Sequence, residues 1–150
     1  MKFQLMVCLF LSLPALAGNQ AFNYEPSSVE LNGVLELQTF PGPPNYDSIA
    51  SGDQIERDLY LKLDQPIDVI EGKQDHIDNP ATERNVTVVQ LAINAEDGKL
   101  WSKFRSAGKD AHVRVKGGLF HRFTGHHHAR VLLDVQSMEA LTERNSGRKE

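Results

Sequence analysis

Apolar and polar residues alternate with a period of two along much of this chain, the pattern of strands with one buried face. Over residues 29–40, Val29, Leu31, Gly33, Leu35 and Leu37 fall on one side, and Glu30, Asn32, Glu36 and Gln38 on the other. That predicts a long half-buried strand, with Gly33 marking a bend or bulge in its middle. Leu59, Leu61 and Leu63 repeat the alternation over residues 58–63, and residues 66–70 extend it after a kink. Residues 86–93, 111–119 and 129–135 supply three further strands. Leu100, Trp101 and Phe104 alone keep helical spacing, which predicts one short helix ending near Gly108. The fold class is therefore all-β with one short helix. A helix between the third and fourth of five strands is the order of a small OB-like Greek-key barrel. An SH3-like or other small barrel is the main competitor.

The two ends of the chain stand outside that pattern. Lys2, a nearly apolar run over residues 3–13 and the small-x-small triplet Ala15-Leu16-Ala17 read as a secretory signal peptide, residues 1–17, cut before Gly18. The apolar run is well short of the ~20 residues a membrane span needs. Residues 18–28 read as an extended, partly ordered leader, 29–137 as a single domain, and 138–150 as a charged, flexible tail. The only cysteine, Cys8, lies in the signal segment, so the mature chain is expected to fold in an oxidising compartment without a disulfide. This points to a bacterial periplasmic or secreted protein. A net charge of -4 and the absence of a basic run argue against nucleic acid as a partner.

Two stretches break the alternation and carry the candidate chemistry. The first, from Pro41, reads P-G-P-P-N-Y-D-S-I-A-S-G-D, with prolines and glycines that end a strand and a possible helical turn at Ser48-Ile49-Ala50. Loops of this length in a small domain are more often functional than idle. The second is T-G-H-H-H, Thr124 to His128; five of the six histidines fall between His112 and His128. In an OB-like order both loops flank one ligand-binding face. Pro43, Pro44, Asn45, Tyr46 and Asp47 on one side, and Thr124, Gly125, His126, His127 and His128 on the other, then form one binding surface.

Parity sets an expected register for the histidine hairpin, because a slip of one residue exchanges a strand's faces. Val113 and Val115 match Val131, Leu133 and Val135 if a three-residue loop, Phe123-Thr124-Gly125, pairs Arg122 with His126. His121 then faces His127, Arg114 faces Asp134, and His126 and His128 share the other face. A bulge at Gly117-Gly118 would shift this parity.

Three readings of the histidines stay open. His126 and His128, two apart on a strand, suit Zn²⁺ or Cu²⁺, with His121 as the third ligand; His112, Asp47 or Asp53 are alternatives. Equally, the imidazoles are donors and stacking surfaces for a ligand or envelope protein, with pH sensitivity near 6.5. The third reading is a polar tip bonded to its own backbone. No cysteine nucleophile, G-x-S-x-G or H-E-x-x-H is present, so a catalytic set is not assigned; a hydrolase using histidine with Asp47 or Asp53 is the enzymatic alternative. A non-enzymatic binding module leads. A zinc- or copper-binding protein follows, and an inhibitor or immunity protein is a further alternative.

P-G-P-P-N-Y with S-I-A-S-G-D (residues 41–53), L-K-L-D-Q-P-I (residues 61–67) and V-R-V-K-G-G-L-F followed by T-G-H-H-H (residues 113–128) together resemble the small secreted bacterial family called domain of unknown function 4431. The resemblance implies an envelope location and a role for both loops, and brings no biochemical activity. A cysteine that often follows the P-I pair in that family is Asp68 here.

Overall fold

The computed structural model describes residues 18–70, 82–94 and 96–141, so the expected signal peptide and the end of the expected tail lie outside the described residues. Six strands and one α-helix follow in order: β1 (Gln20–Asn23), β2 (Ser28–Pro41), β3 (Ile55–Ile70), β4 (Thr82–Ala92), α1 (Gly98–Ala107), β5 (His112–His121) and β6 (Val131–Ala140). They form one mixed sheet in the order β1-β3-β2-β5-β6-β4, and β3 pairs with β4 as well. The pairings from β3 through β2, β5, β6 and β4 thus return to β3. The β4–β6 and β1–β3 pairs are parallel and the others antiparallel. No helix among the described residues is long and apolar enough to cross a membrane.

The period-two pattern places the core. Leu31 and Leu35 of β2, Leu61 of β3, Val89 of β4, Val113 of β5 and Leu133 of β6 pack in one buried cluster. α1 adds Leu100 and Phe104, one helical turn apart on its inner face. Asp97 caps this helix, its side chain accepting from Leu100 N at 2.9 Å, and Gly108 at φ 80° ends it. Gly33 is required by close approach: a Cβ there would lie 2.2 Å from the Lys62 carbonyl oxygen on β3.

Several boundaries differ from the sequence expectation. The leader contributes β1, and Tyr24 just after it is buried, because β1 finds backbone partners along the second half of β3. β6 runs to Ala140 with Met138 buried, so the expected tail boundary at residue 138 falls inside a strand. The hairpin register is also corrected. β5 ends at His121, which pairs with Val131, so residues 122–130 form a long tip and the three-residue turn is absent. Arg114 pairs with Glu139 and not Asp134, and its side chain meets Glu30 and Asn32 on β2. Two steps make the difference: the long tip displaces the pairs from His121–Val131 to Gly117–Val135 by four places with the expected parity kept, and a one-residue shift between Gly117–Val135 and Lys116–Ser137 adds the fifth. This one-residue bulge on β6 moves its buried positions from Val131, Leu133 and Val135 to Met138, while β5 keeps Leu119 inward throughout.

Candidate functional site

The Pro-rich loop is organised by one buried carboxylate. Asp53 Oδ1 accepts from Asn45 N at 3.0 Å and Asn45 Nδ2 at 3.1 Å; Oδ2 accepts from Asp47 N at 2.8 Å and Ser48 N at 2.9 Å. These bonds, those from Asp47 and Ser48 foremost, hold the Asp53 carboxyl below the usual carboxylate range. They also grip both neighbours of Tyr46, which sits in the left-handed region at φ 56°. That conformation is unfavourable for a bulky side chain and persists only where surrounding contacts impose it. Pro43 and Pro44 are joined by a cis peptide bond, and Gln54 N donates to Pro43 O at 2.8 Å. The expected helical turn is present as a 3-10 segment, Ile49–Ser51.

The histidine tip is held differently, by a buried amide. Gln90 of β4 donates from Nε2 to His126 O at 2.8 Å, and its Oε1 accepts from His128 N at 2.7 Å and Ala129 N at 3.1 Å. A side chain thus replaces the cross-strand ladder that residues 122–130 lack. Thr124 O accepts from His127 N at 3.2 Å, closing the turn.

The two loops meet through Tyr46. Its hydroxyl lies 3.0 Å from His126 Nε2, and its ring covers Gly125 so closely that a Cβ there would sit 3.0 Å from ring carbons. Below them, two acidic residues of β3 face the imidazoles. Glu56 Oε1 hydrogen-bonds His126 Nδ1, and its Oε2 lies 3.1 Å from His128 Nε2. Asp58 Oδ2 lies 3.6 Å from the same His128 nitrogen. Phe40 of β2 stacks on the His128 ring at 4.1 Å and 6°, fixing its plane. Glu56, Asp58 and His128 each bring a ligand atom within 4.8 Å of the others.

The electrostatics of the two carboxylates diverge. Burial opposes ionisation of Glu56, but hydrogen bonds from His126 and His128 outweigh it and leave its carboxyl below the usual range. Burial, with the Glu56 charge second, pushes Asp58 up. Asp58 Oδ2 and Tyr60 Oη are both buried without a hydrogen-bond partner in the protein. Burial, then the Asp58 charge, holds the Tyr60 phenol well above its usual range. Beside them a concavity of about 380 Å³ is lined by Gln38, Phe40, Tyr60, Val88 and His128 among others.

The structure therefore brings together Tyr46, Gly125, His126 and His128 of the expected residues. Asn45, Asp47 and Pro43 take part through backbone bonds and the Asn45 side chain, and Pro44 and Thr124 are exposed. His127 turns to Phe120 and Phe123, with Phe123 N donating to its Nδ1 at 3.1 Å; burial lowers its pKa. His121 does not join His126 and His128, because the hairpin opens at that residue. Its ring lies 3.7 Å from that of Tyr24. His112 pairs with Asp64 instead, at 2.7 Å. Asp53 is occupied by the loop backbone. Glu56, Asp58 and Gln90 were missed by sequence reasoning. The only signal for the first two was the i, i+2 spacing of acids on a strand, which places both on one face.

No curated protein and no solved structure matches the chain significantly. A family match covers Gln90, α1, β5, the histidine tip and most of β6, and leaves the Pro-rich loop, Glu56 and Asp58 outside it. Over residues 88–139 the chain matches the family model described as a domain of unknown function (DUF4431), the family that its loop motifs resemble.

Proposed function

We propose that this protein is a binding module of the bacterial envelope, built as an OB-like barrel, whose recognition surface is the end where the Pro-rich and histidine loops meet. The OB-like reading is supported by the return of the β2–β6 pairings on themselves and by α1 between β4 and β5. In such a barrel, counted from β2 because β1 lies outside the closed series, the loops after the first strand and before the last flank the ligand face. Here those loops are residues 42–54 and 122–130. The signal-like segment at residues 1–17 supports the envelope location.

The observation that carries the reading is the Tyr46–His126 contact over Gly125, with each loop clamped from beneath by Asp53 or Gln90. Preorganised loops bind with less ordering cost than mobile ones. Two buried polar atoms without hydrogen-bond partners, Asp58 Oδ2 and Tyr60 Oη, lie beside this end, and native proteins rarely leave such groups unmatched. The ligand is therefore expected to be polar at this end.

The test is affinity capture from a bacterial envelope extract with wild type, Tyr46→Ala and His126→Ala, repeated with a chelator present. Capture of one specific partner by wild type, weakened in both variants, supports the reading. Equal capture by all three proteins overturns it.

A further inference from the structure

We propose that His128, Glu56 and Asp58 bind a divalent first-row cation, with Zn²⁺ the occupant, and that His126 positions one of its ligands without ligating it. The inference deepens the two-loop reading by naming a ligand for the same end of the protein, yet it does not need a protein partner to exist.

Geometry carries it. Zinc bound at ~2.0–2.2 Å in a tetrahedral site places its ligand atoms about 3.3–3.6 Å from one another. His128 Nε2 lies 3.1 Å from Glu56 Oε2 and 3.6 Å from Asp58 Oδ2, near that spacing, and all three donors lie within 4.8 Å of one another. Their side chains are 14–19% exposed, well withdrawn from solvent for charged groups. Asp58 Oδ2 is buried and accepts no hydrogen bond, its one ion-pair contact among the described residues being the His128 imidazole at 3.6 Å, which leaves it free to take a cation between them. Two carboxylates with one imidazole also make a donor set of charge suited to a divalent ion.

The surroundings resemble the outer shell of a metal centre. Metal-ligating groups are held by further hydrogen bonds and packing that fix their orientation. Tyr46 Oη meets His126 Nε2, His126 Nδ1 meets Glu56 Oε1, and Glu56 Oε2 is left to face the ion. Phe40 fixes the His128 ring and Gln90 fixes its backbone. Three protein ligands leave one tetrahedral position for water or for an atom of an incoming ligand. The expected set of His121, His126 and His128 is thereby replaced by one histidine and two carboxylates. His127 faces Phe120 and Phe123 and stands outside it.

The test is isothermal titration of Zn²⁺ into tag-free protein, with Co²⁺ absorption as a second readout. One equivalent should bind at micromolar affinity or tighter. His128→Ala and Asp58→Asn should each weaken binding by at least about 100-fold, and His126→Ala by about 10–100-fold as an outer-shell change. His127→Ala should leave affinity unchanged. Asp58→Asn is nearly isosteric, and Glu56→Gln serves if the histidine variant does not fold. Wild-type affinity no tighter than millimolar overturns the proposal, as does full affinity in Asp58→Asn and Glu56→Gln. An equal loss in His127→Ala also overturns it, because the histidine run alone would then be the chelator. Partner capture that survives the chelator would leave the binding-module reading standing after such a failure.

Discussion

Asp53 and Asp58 lie close together on one run of chain and bury their carboxylates in opposite ways. Asp53 receives four hydrogen bonds from Asn45, Asp47 and Ser48, and its carboxyl is held below the usual range. Asp58 keeps one buried oxygen unbonded, beside Glu56, and burial pushes its carboxyl up. A satisfied buried carboxylate is a structural part, here the clamp that shapes a loop. An unsatisfied one beside imidazoles costs folding energy, and in the proposed site it is a group that faces the cation. The sequence offered Asp53 as a ligand or base; its bonds show that its capacity is already used.

The largest break in this comparison is Asp53→Ala. Four donors lose their acceptor, and Tyr46 loses the bonds that hold its neighbours. The thermal midpoint should fall by several degrees, and the Tyr46–His126 contact should disappear from NMR spectra. Acid dependence follows from the direction of the shift. The folded pKa lies below the unfolded value of about 3.9, so the contribution of Asp53 is complete above that value and is lost as pH falls through the folded one. Denaturant titrations below about pH 4 should therefore show a steeper loss for wild type than for Asp53→Ala. Parallel curves would place the clamp elsewhere.

How much of this was legible depends on the range of the interaction. The alternation in residues 29–40 and the helical spacing of Leu100 and Phe104 are local, and the elements follow them. The two unusual loops were visible from composition, and the expectation that they meet rested on an assumed OB-like order. The hairpin register was not visible, because the long tip over residues 122–130 displaces the pairs while keeping their parity, and a bulge on β6 opposite Gly117 then adds one residue. Nor was the partner of the histidines: Glu56 and Asp58 sit at ordinary polar positions of an alternating strand. Only the pairing of β3 with β4, and the reach of Gln90 from β4 to the tip, bring them beneath His128.

Gln90→Leu sharpens the comparison from the other loop. It removes the acceptor for His128 N and Ala129 N and the donor to His126 O, at a cost of about 1–3 kcal/mol. Because the tip then loses its position over Glu56, Zn²⁺ affinity should fall along with stability. A stability loss with unchanged affinity would mean that the imidazoles are placed by Tyr46 and Phe40 alone. Asp58→Asn should act in the opposite sense on the metal-free protein. Removing an unbonded buried charge beside Glu56 should raise the unfolding free energy by less than about 1 kcal/mol while abolishing tight Zn²⁺ binding. A clear destabilisation would assign Asp58 a structural role like that of Asp53.

The smallest effect is expected where a histidine and a carboxylate meet in the open. His112 Nε2 and Asp64 Oδ2 are only 2.7 Å apart, closer than Glu56 or Asp58 comes to His128, yet both side chains are 40% exposed. Water screens such a pair and supplies alternative partners, so proximity alone gives little. One imidazole and one carboxylate also fall short of a zinc site. His112→Ala should change the unfolding free energy by less than about 0.5 kcal/mol and leave Zn²⁺ binding at wild-type strength. A Zn²⁺ affinity lowered as far as in His128→Ala would make distance, rather than burial and the number of donors, the property that separates the two histidines.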